Sequence, residues 1–382
     1  MSIALDAGGA LQLGRSATWY KETEYFAPPE LRRSLVSCFY KHWSLPNRKP
    51  QPTDMKILVL SHDEVVDLLP IKECITVMRD ALIALASGKV HQPLRTIIRP
   101  PDAAGVMGLM PSYISGDRAA YGLKAICVFP GNPARGKDAH QGGVLLFSAD
   151  TGELLAMMNA SAITAIRTAA VSGVATDLLA REDACNLGII GTGVQARSHL
   201  AAMSQVRSIK RCRIASRQIE HARKFAEEMR RDFSFPLEPV DSVEEALTGA
   251  DLIVTVTSAV EPIVRREWIL PGAHLNVVGS SNSKAREVDS ATIAASSLFV
   301  DRRESTINEA GDYLFPAREG AIGPDHIRAE IGEVLKGDRP GRTSPDEITL
   351  FKSLGLAIED LAAAEYLYGR AREQKVGSWV EF

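Results

Sequence analysis

The chain has 382 residues, 45% of them hydrophobic and 24% charged, with a formal net charge of -3. That length predicts two domains, and the near-neutral balance gives no electrostatic reason to expect nucleic acid or an anionic membrane as partner. Five scattered cysteines without a C-x-x-C pair suit a reducing cytoplasm and argue against a disulfide framework.

Residues 1–54 carry prolines and arginines (Pro28-Pro29, Arg32-Arg33, Pro46, Pro50, Pro52) without sustained periodicity. They contain no basic stretch leading into an apolar one, as a secretory signal would. They read as an atypical arm of low order, or as sequence upstream of a true start at Met55, the second reading being preferred. From Met55 the character changes. Met55-Lys-Ile-Leu-Val-Leu60 predicts a strand, and Ser61 opens a helix with Asp63 and Glu64 in its first turn.

A helix over about 71–87 stops at Gly88. Strands follow at Leu94–Ile98, Val106–Met110, Gly122–Phe129 and Gly143–Ser148, separated by Pro, Gly and Asp turns. An alanine-rich helix, Ser161–Ala180, leads to the next unit. There Leu187, Ile189 and Ile190 form a strand, and a second strand is expected at Cys212–Ala215. Asp241–Ala250 reads as a short helix, with Ser242 and Glu245 at capping-box spacing. Strands at Leu252–Thr257, Leu275–Val278 and Leu298–Asp301 are expected to complete this sheet. Ile348–Phe351 and a helix from about Ser353, with Leu354, Ile358, Leu361 and Tyr368 on one face, are assigned back to the first unit. The predicted fold is α/β: a Rossmann-type, doubly wound domain (179–325) inserted in a second α/β domain (55–178 plus 326–382) for substrate binding and dimerisation. No apolar segment is read as approaching membrane-span length, and the eight histidines show no ligand spacing, so no metal site is expected.

Gly191-Thr192-Gly193-Val194-Gln195-Ala196 stands between the strand ending at Ile190 and a helix carrying Ala196, Leu200 and Met203 on one face. In that context G-x-G-x-x-A signifies dinucleotide binding. Gly191 allows the tight turn, Gly193 lets backbone approach a pyrophosphate, and the helix N-terminus favours its charge. Cofactor choice is read at the second strand's tip, where Ser216 and Arg217 stand and no acid does. A 2′-phosphate suits them, so NADP(H) is the preferred cofactor and NAD(H) the alternative. Thr255, Thr257, Val278 and Gly279, at the C-terminal ends of later strands, complete the cofactor-binding set.

Three cations stand in apolar surroundings: Lys124 inside YGLKAICVF, Arg167 alone between Ser161 and Ala180, and Arg95 after Pro93. A charge so placed needs a partner or an aqueous cleft. Each could be a structural ion-pair member, or together they could clamp a carboxylate.

The chain resembles the ornithine cyclodeaminase/mu-crystallin family from about Ile57 to Arg370. The matching segments include Gln92-Pro-Leu-Arg95-Thr, Gly122-Leu-Lys124, Thr164-Ala-Ile-Arg167-Thr, Gly191-Thr-Gly-Val-Gln-Ala-Arg-Ser-His199, Asn276-Val-Val-Gly279 and Phe351-Lys-Ser-Leu-Gly355. The mu-crystallin branch, with its ketimine reductases, looks most similar. The resemblance implies a homodimer, and substrate carboxylate binding by Arg95, Lys124 and Arg167, of which Lys124 and Arg167 are taken as catalytic. Ornithine cyclodeaminases carry a catalytic Asp where Ser281, assigned to the substrate site, stands here. Serine cannot supply that carboxylate. The implied activity is NAD(P)H-dependent reduction of small imino acids, such as pyrroline-2-carboxylate or piperideine-2-carboxylate. The alternatives are ornithine cyclodeaminase, an alanine- or opine-type dehydrogenase, and a non-catalytic NADP-dependent binder of small molecules.

Overall fold

The computed structural model describes residues 56–382, so the expectation for 1–54 lies outside the described residues. Strand β1 (Lys56–Leu60) runs into α1 (His62–Leu68) through a capping box. The Ser61 hydroxyl accepts from the Glu64 N–H, and the Glu64 carboxylate accepts from the Ser61 N–H. Helix α2 (Ile71–Ala86) buries Cys74, Ile75, Met78, Ala81 and Leu82 at helical spacing, and the chain then turns at Gly88, whose φ is +71°.

Strands β2 (Val90–His91), β3 (Thr96–Ile98), β4 (Val106–Ile114), β5 (Ala120–Val128), β6 (His140–Ser148) and β7 (Leu154–Asn159) build most of the first sheet. Its order is β16-β1-β7-β6-β5-β4-β2, with β3 on β4, where β16 is Ser378–Glu381. The sequence reading placed no strand at β7, because LLAMMN is a short apolar run without alternation or a marked turn after it.

Asn159 caps α3 (Ala160–Leu179) by accepting from the Ala162 N–H. This helix corrects the expectation that no apolar segment nears span length: it has 20 residues and a mean hydropathy of 1.3. Its apolar character has another cause. It packs on α2 and touches strands of both sheets, and 78% of its apolar window is buried inside the protein. A helix covered all round is apolar all round.

The second sheet is parallel throughout. It contains β8 (Asn186–Ile190), β9 (Arg211–Ala215), β10 (Leu237–Val240), β11 (Leu252–Thr255), β12 (His274–Val277), β13 (Ser297–Val300), β14 (Ile327–Glu330) and β15 (Thr349–Lys352), in the order β10-β9-β8-β11-β12-β15-β13-β14. Helix α4 (Val194–Val206) follows β8, and α5 (Ile219–Met229) follows β9. The chain leaves β8 toward β9 on one side and returns to β11 on the other. The strand order therefore reverses at β8, and the crevice for a ligand lies above the C-terminal ends of β8 and β11.

One assignment is corrected here. The segment 326–351 was expected in the first unit, yet β14 and β15 belong to the second sheet, with β15 wedged between β12 and β13. The burial of all four residues of β15, flanked by strands on both sides, accounts for its unbroken Thr-Leu-Phe core sequence. Thus β13 does not complete the sheet. Only α6 (Ala357–Gln374), which covers β4 and β5, and the edge strand β16, antiparallel to β1, return to the first sheet.

Candidate functional site

At the end of β8 the backbone of Gly191 takes φ +115°, and a Cβ there would lie 2.8 Å from the Val256 carbonyl oxygen. Both facts require glycine. Gly193 is the N-cap of α4 in extended conformation and supplies no side-chain cap. A Cβ on it would meet nothing within 4 Å. The first N–H groups of a 13-residue helix therefore face open space, which is an anion cradle. The half-buried Thr192 hydroxyl lies 3.5 Å from that of Ser216, while Arg217 at the tip of β9 is exposed. The turn thus fits a dinucleotide, and Ser216 and Arg217 stand at the position that reads its ribose.

The opposite wall is fixed by one buried carboxylate. Glu287 accepts from the Thr255 hydroxyl (2.7 Å), the Thr257 N–H (2.7 Å) and hydroxyl (2.8 Å), and the Gly279 N–H (2.7 Å). Burial raises its pKa, against the opposing pull of Lys352. Asp312 accepts from the Glu287 N–H at 2.8 Å and pairs with Lys352 Nζ at 3.0 Å. Lys352 also donates to the carbonyls of Val277 and Ser280 at 3.3 and 2.5 Å. The Thr255 and Thr257 hydroxyls are therefore committed to Glu287. Together with Val278 and Gly279 they shape the wall rather than offer free donors. In the turn that follows, Ser280 is buried with its hydroxyl on the Ala285 carbonyl, and Ser281 is exposed.

The three cations converge. Lys124 on β5 and Arg167 on α3 are 3% and 4% exposed, so each needs a counter-charge. Asp360 provides it for both: its Oδ1 lies 3.1 Å from Lys124 Nζ and 3.0 Å from Arg167 Nε. Arg167 Nη1 also donates to Glu359 Oε2 at 2.5 Å. Arg95, half-buried, pairs with Glu309 at 2.9 Å and donates to the carbonyls of Leu354 and Gly355. Gly355 sits between the two arginines. A Cβ on it would come within 2.5 Å of Arg167 Nη1, and its φ is +78°. Asp301 holds this turn by accepting from the Leu354 and Gly355 N–H groups at 2.6 and 2.8 Å.

Burial lowers the Lys124 pKa to about 8, although Asp360 pulls the other way. Burial also acts to lower that of Arg167, but Asp360 and Glu359 overcome it and the net direction is up. Burial pushes Glu359 up to about 7 against the pull of Arg167. His140 on β6 is lowered by burial and by the charges of Lys124 and Arg167. The glycine turn connects to this cluster through Gln195, whose amide donates to the Thr164 carbonyl at 3.4 Å, three residues before Arg167 on α3. The arrangement can hold a dinucleotide on α4 and present buried cations to an anion beside it.

The residues that sequence reasoning missed are acids: Glu359, Asp360, Asp301, Asp312 and Glu287, together with Lys352. The same signal that marked Lys124 was present in them, since Glu359 and Asp360 interrupt the apolar run Leu356-Ala-Ile-Glu-Asp-Leu-Ala-Ala.

The profile of the ornithine cyclodeaminase/mu-crystallin family matches residues 55–375. Ketimine reductase mu-crystallin of Mus musculus is 40% identical over 313 residues, covering 81% of this chain and 96% of the relative. The structure of Thermococcus litoralis Δ1-pyrroline-2-carboxylate reductase in complex with NADH and L-proline is 42% identical, with a TM-score of 0.83, and covers 85% of this chain and 100% of that one. An archaeal alanine dehydrogenase dimer with bound NAD is 32% identical, with a TM-score of 0.81 over 86% of this chain and 100% of that one.

Proposed function

Because the chain belongs to the ornithine cyclodeaminase/mu-crystallin family, we propose that it is an NAD(P)H-dependent reductase of small cyclic imino acids such as pyrroline-2-carboxylate or piperideine-2-carboxylate. The observation that carries this reading is the meeting of Lys124, Arg167 and Arg95 beside the glycine turn of α4. A nicotinamide cofactor, when bound, supplies the hydride. The chain's own residues do the rest. Lys124 and Arg167 bind the substrate carboxylate, and Arg95 closes the clamp from the Gly355 side, fixing the imine carbon in one orientation. With a pKa of about 8, Lys124 can hold or release a proton near neutrality, which suits delivery to the imine nitrogen. Ser281 contributes no carboxylate for the ammonia-releasing reaction of ornithine, and the hydroxyl beside it, on Ser280, is spent on Ala285.

Replacement of Arg167 by Ala leaves Glu359 buried without its cation, leaves Asp360 with Lys124 alone and removes one arm of the clamp. It is expected to lower kcat/KM by roughly thirtyfold to several thousandfold. The test is steady-state reduction of pyrroline-2-carboxylate by the wild type and by Arg167→Ala, with folding checked by circular dichroism; an unchanged kcat/KM sinks the assignment. The preference for NADP(H) is assigned to Ser216 and Arg217. Arg217→Ala should weaken NADPH by about tenfold or more relative to NADH, measured as the ratio of their KM values, and an unaltered ratio contradicts the role.

The assembly proposed is a homodimer built on the first sheet. The face of that sheet away from α6 carries Tyr121, Leu123, Leu145 and Met157 in adjacent cross-strand positions, with Tyr121 and Met157 50% and 45% exposed. Apolar area of this kind is rare on a monomer.

A further inference from the structure

Glu359 and Asp360 each use one carboxylate oxygen in the cation cluster. Asp360 Oδ1 takes Lys124 and Arg167, and Glu359 Oε2 takes Arg167. Their second oxygens, Asp360 Oδ2 and Glu359 Oε1, are buried and have no hydrogen-bond partner. An ionised, desolvated oxygen without a donor is costly, and a proton on it turns the acceptor into a donor.

The groups around Glu359 come from seven elements or turns. Arg167 arrives from α3, Lys124 from β5, Asp301 from the end of β13, Cys74 from α2 and Asp360 from α6 itself. Arg95, paired with Glu309, reaches the turn after β15, and His140 on β6 faces the two buried cations. With every acid ionised, Lys124, Arg167 and Arg95 (three positive) stand against Asp360, Glu359, Asp301 and Glu309 (four negative). A ligand carboxylate would add a fifth negative charge in a region where Coulomb interactions are weakly screened.

We infer that Glu359 takes up a solvent proton when a carboxylate ligand docks on Lys124 and Arg167, so that Glu359 balances the charge of the bound substrate. The inference rests on the carboxylate-binding role proposed above. Glu359 is singled out by its partners. Asp301 accepts from three backbone N–H donors, those of Arg302, Leu354 and Gly355, which oppose the upward push of burial on its pKa. Asp360 is paired with two cations, whereas Glu359 has a single side-chain partner and an orphaned oxygen. Its pKa of about 7 puts the proton within reach at neutral pH. Glu359 is thus a positioning residue that acts through Arg167. Protonation frees part of the guanidinium for the ligand.

The test is titration calorimetry of NADPH-saturated protein with pyrrole-2-carboxylate, a planar carboxylate that has no C=N bond to reduce. Measurement at pH 7 in two buffers of different ionisation enthalpy gives the protons taken up per ligand. With Glu359 near 7 and Lys124 near 8, Glu359 should take up about half a proton in the wild type, and Lys124 can add at most about a tenth. In Glu359→Gln, uptake should fall to that tenth and the affinity should lose most of its pH dependence between pH 6 and 8. Ligand binding without uptake in the wild type, or the same uptake in Glu359→Gln, overturns the inference. If Glu359→Gln fails to fold, the wild-type measurement decides alone, since binding without uptake overturns the inference by itself. Absence of binding by wild type would instead remove the carboxylate-binding reading, and this inference with it.

Discussion

His199 and His274 are fully buried, and burial holds their pKa values near 4 and 3. His199 must donate from Nδ1 to the Gln195 carbonyl at 2.8 Å, so its Nε2 accepts from the Ser172 hydroxyl at 2.9 Å and α3 is pinned to α4. An unfolded chain protonates such a histidine below its ordinary value of 6.5. The native one resists until about 4. The stability this provides is therefore present above pH 6.5 and is lost as pH falls toward 4, a change of about 3 kcal/mol for His199. Urea midpoints of the wild type should fall more steeply between pH 6.5 and 4 than those of His199→Gln, and parallel curves would contradict the assignment. Charges in apolar runs made Lys124 and Arg167 legible from sequence alone. Their partners Glu359 and Asp360 were not read, because an acid pair near a helix start looks like an ordinary first turn. Their place inside an apolar run was the signal that set them apart from such a turn.

At the scale of elements, the strand–turn–helix from Asn186 to Val206 was legible because its glycines, apolar strand and helical face all point to one geometry. The two glycines do different things, and substitution separates them. Gly191→Ala forces a side chain into φ +115° and against Val256, and should destabilise the protein by about 2 kcal/mol or more. Gly193→Ala has room for its methyl and should keep the wild-type Tm while weakening NADPH binding, because the methyl enters the cradle. Thermal melts alongside NADPH fluorescence titration check both, and equal effects of the two on Tm would contradict this division. Strand β15 was placed with the wrong sheet because its position between β12 and β13 depends on pairing with residues some 50 to 75 positions away in the chain. Local pattern carries no record of such pairing. Strand β7 was missed for its uniform, short apolar sequence.

At the scale of the molecule, the candidate site draws on both sheets. The second carries the glycine turn and the Glu287 wall, the first carries Lys124, and α3 and α6 bring Arg167 and its acids between them. The outward face of the first sheet carries exposed Tyr121 and Met157. Met157→Glu should convert a dimer to monomers in light scattering, and an unaltered mass would place the interface elsewhere. The measurement that reaches the central claim most directly is a paired assay of the purified protein. One arm follows NADPH and NADH oxidation with pyrroline-2-carboxylate, and the other follows ammonia release from ornithine with NAD⁺. Cofactor oxidation with the cyclic imino acid and no ammonia from ornithine is the predicted result. Ammonia and proline from ornithine, with no reduction of the imino acid, would contradict the reductase assignment and the weight placed on Ser281.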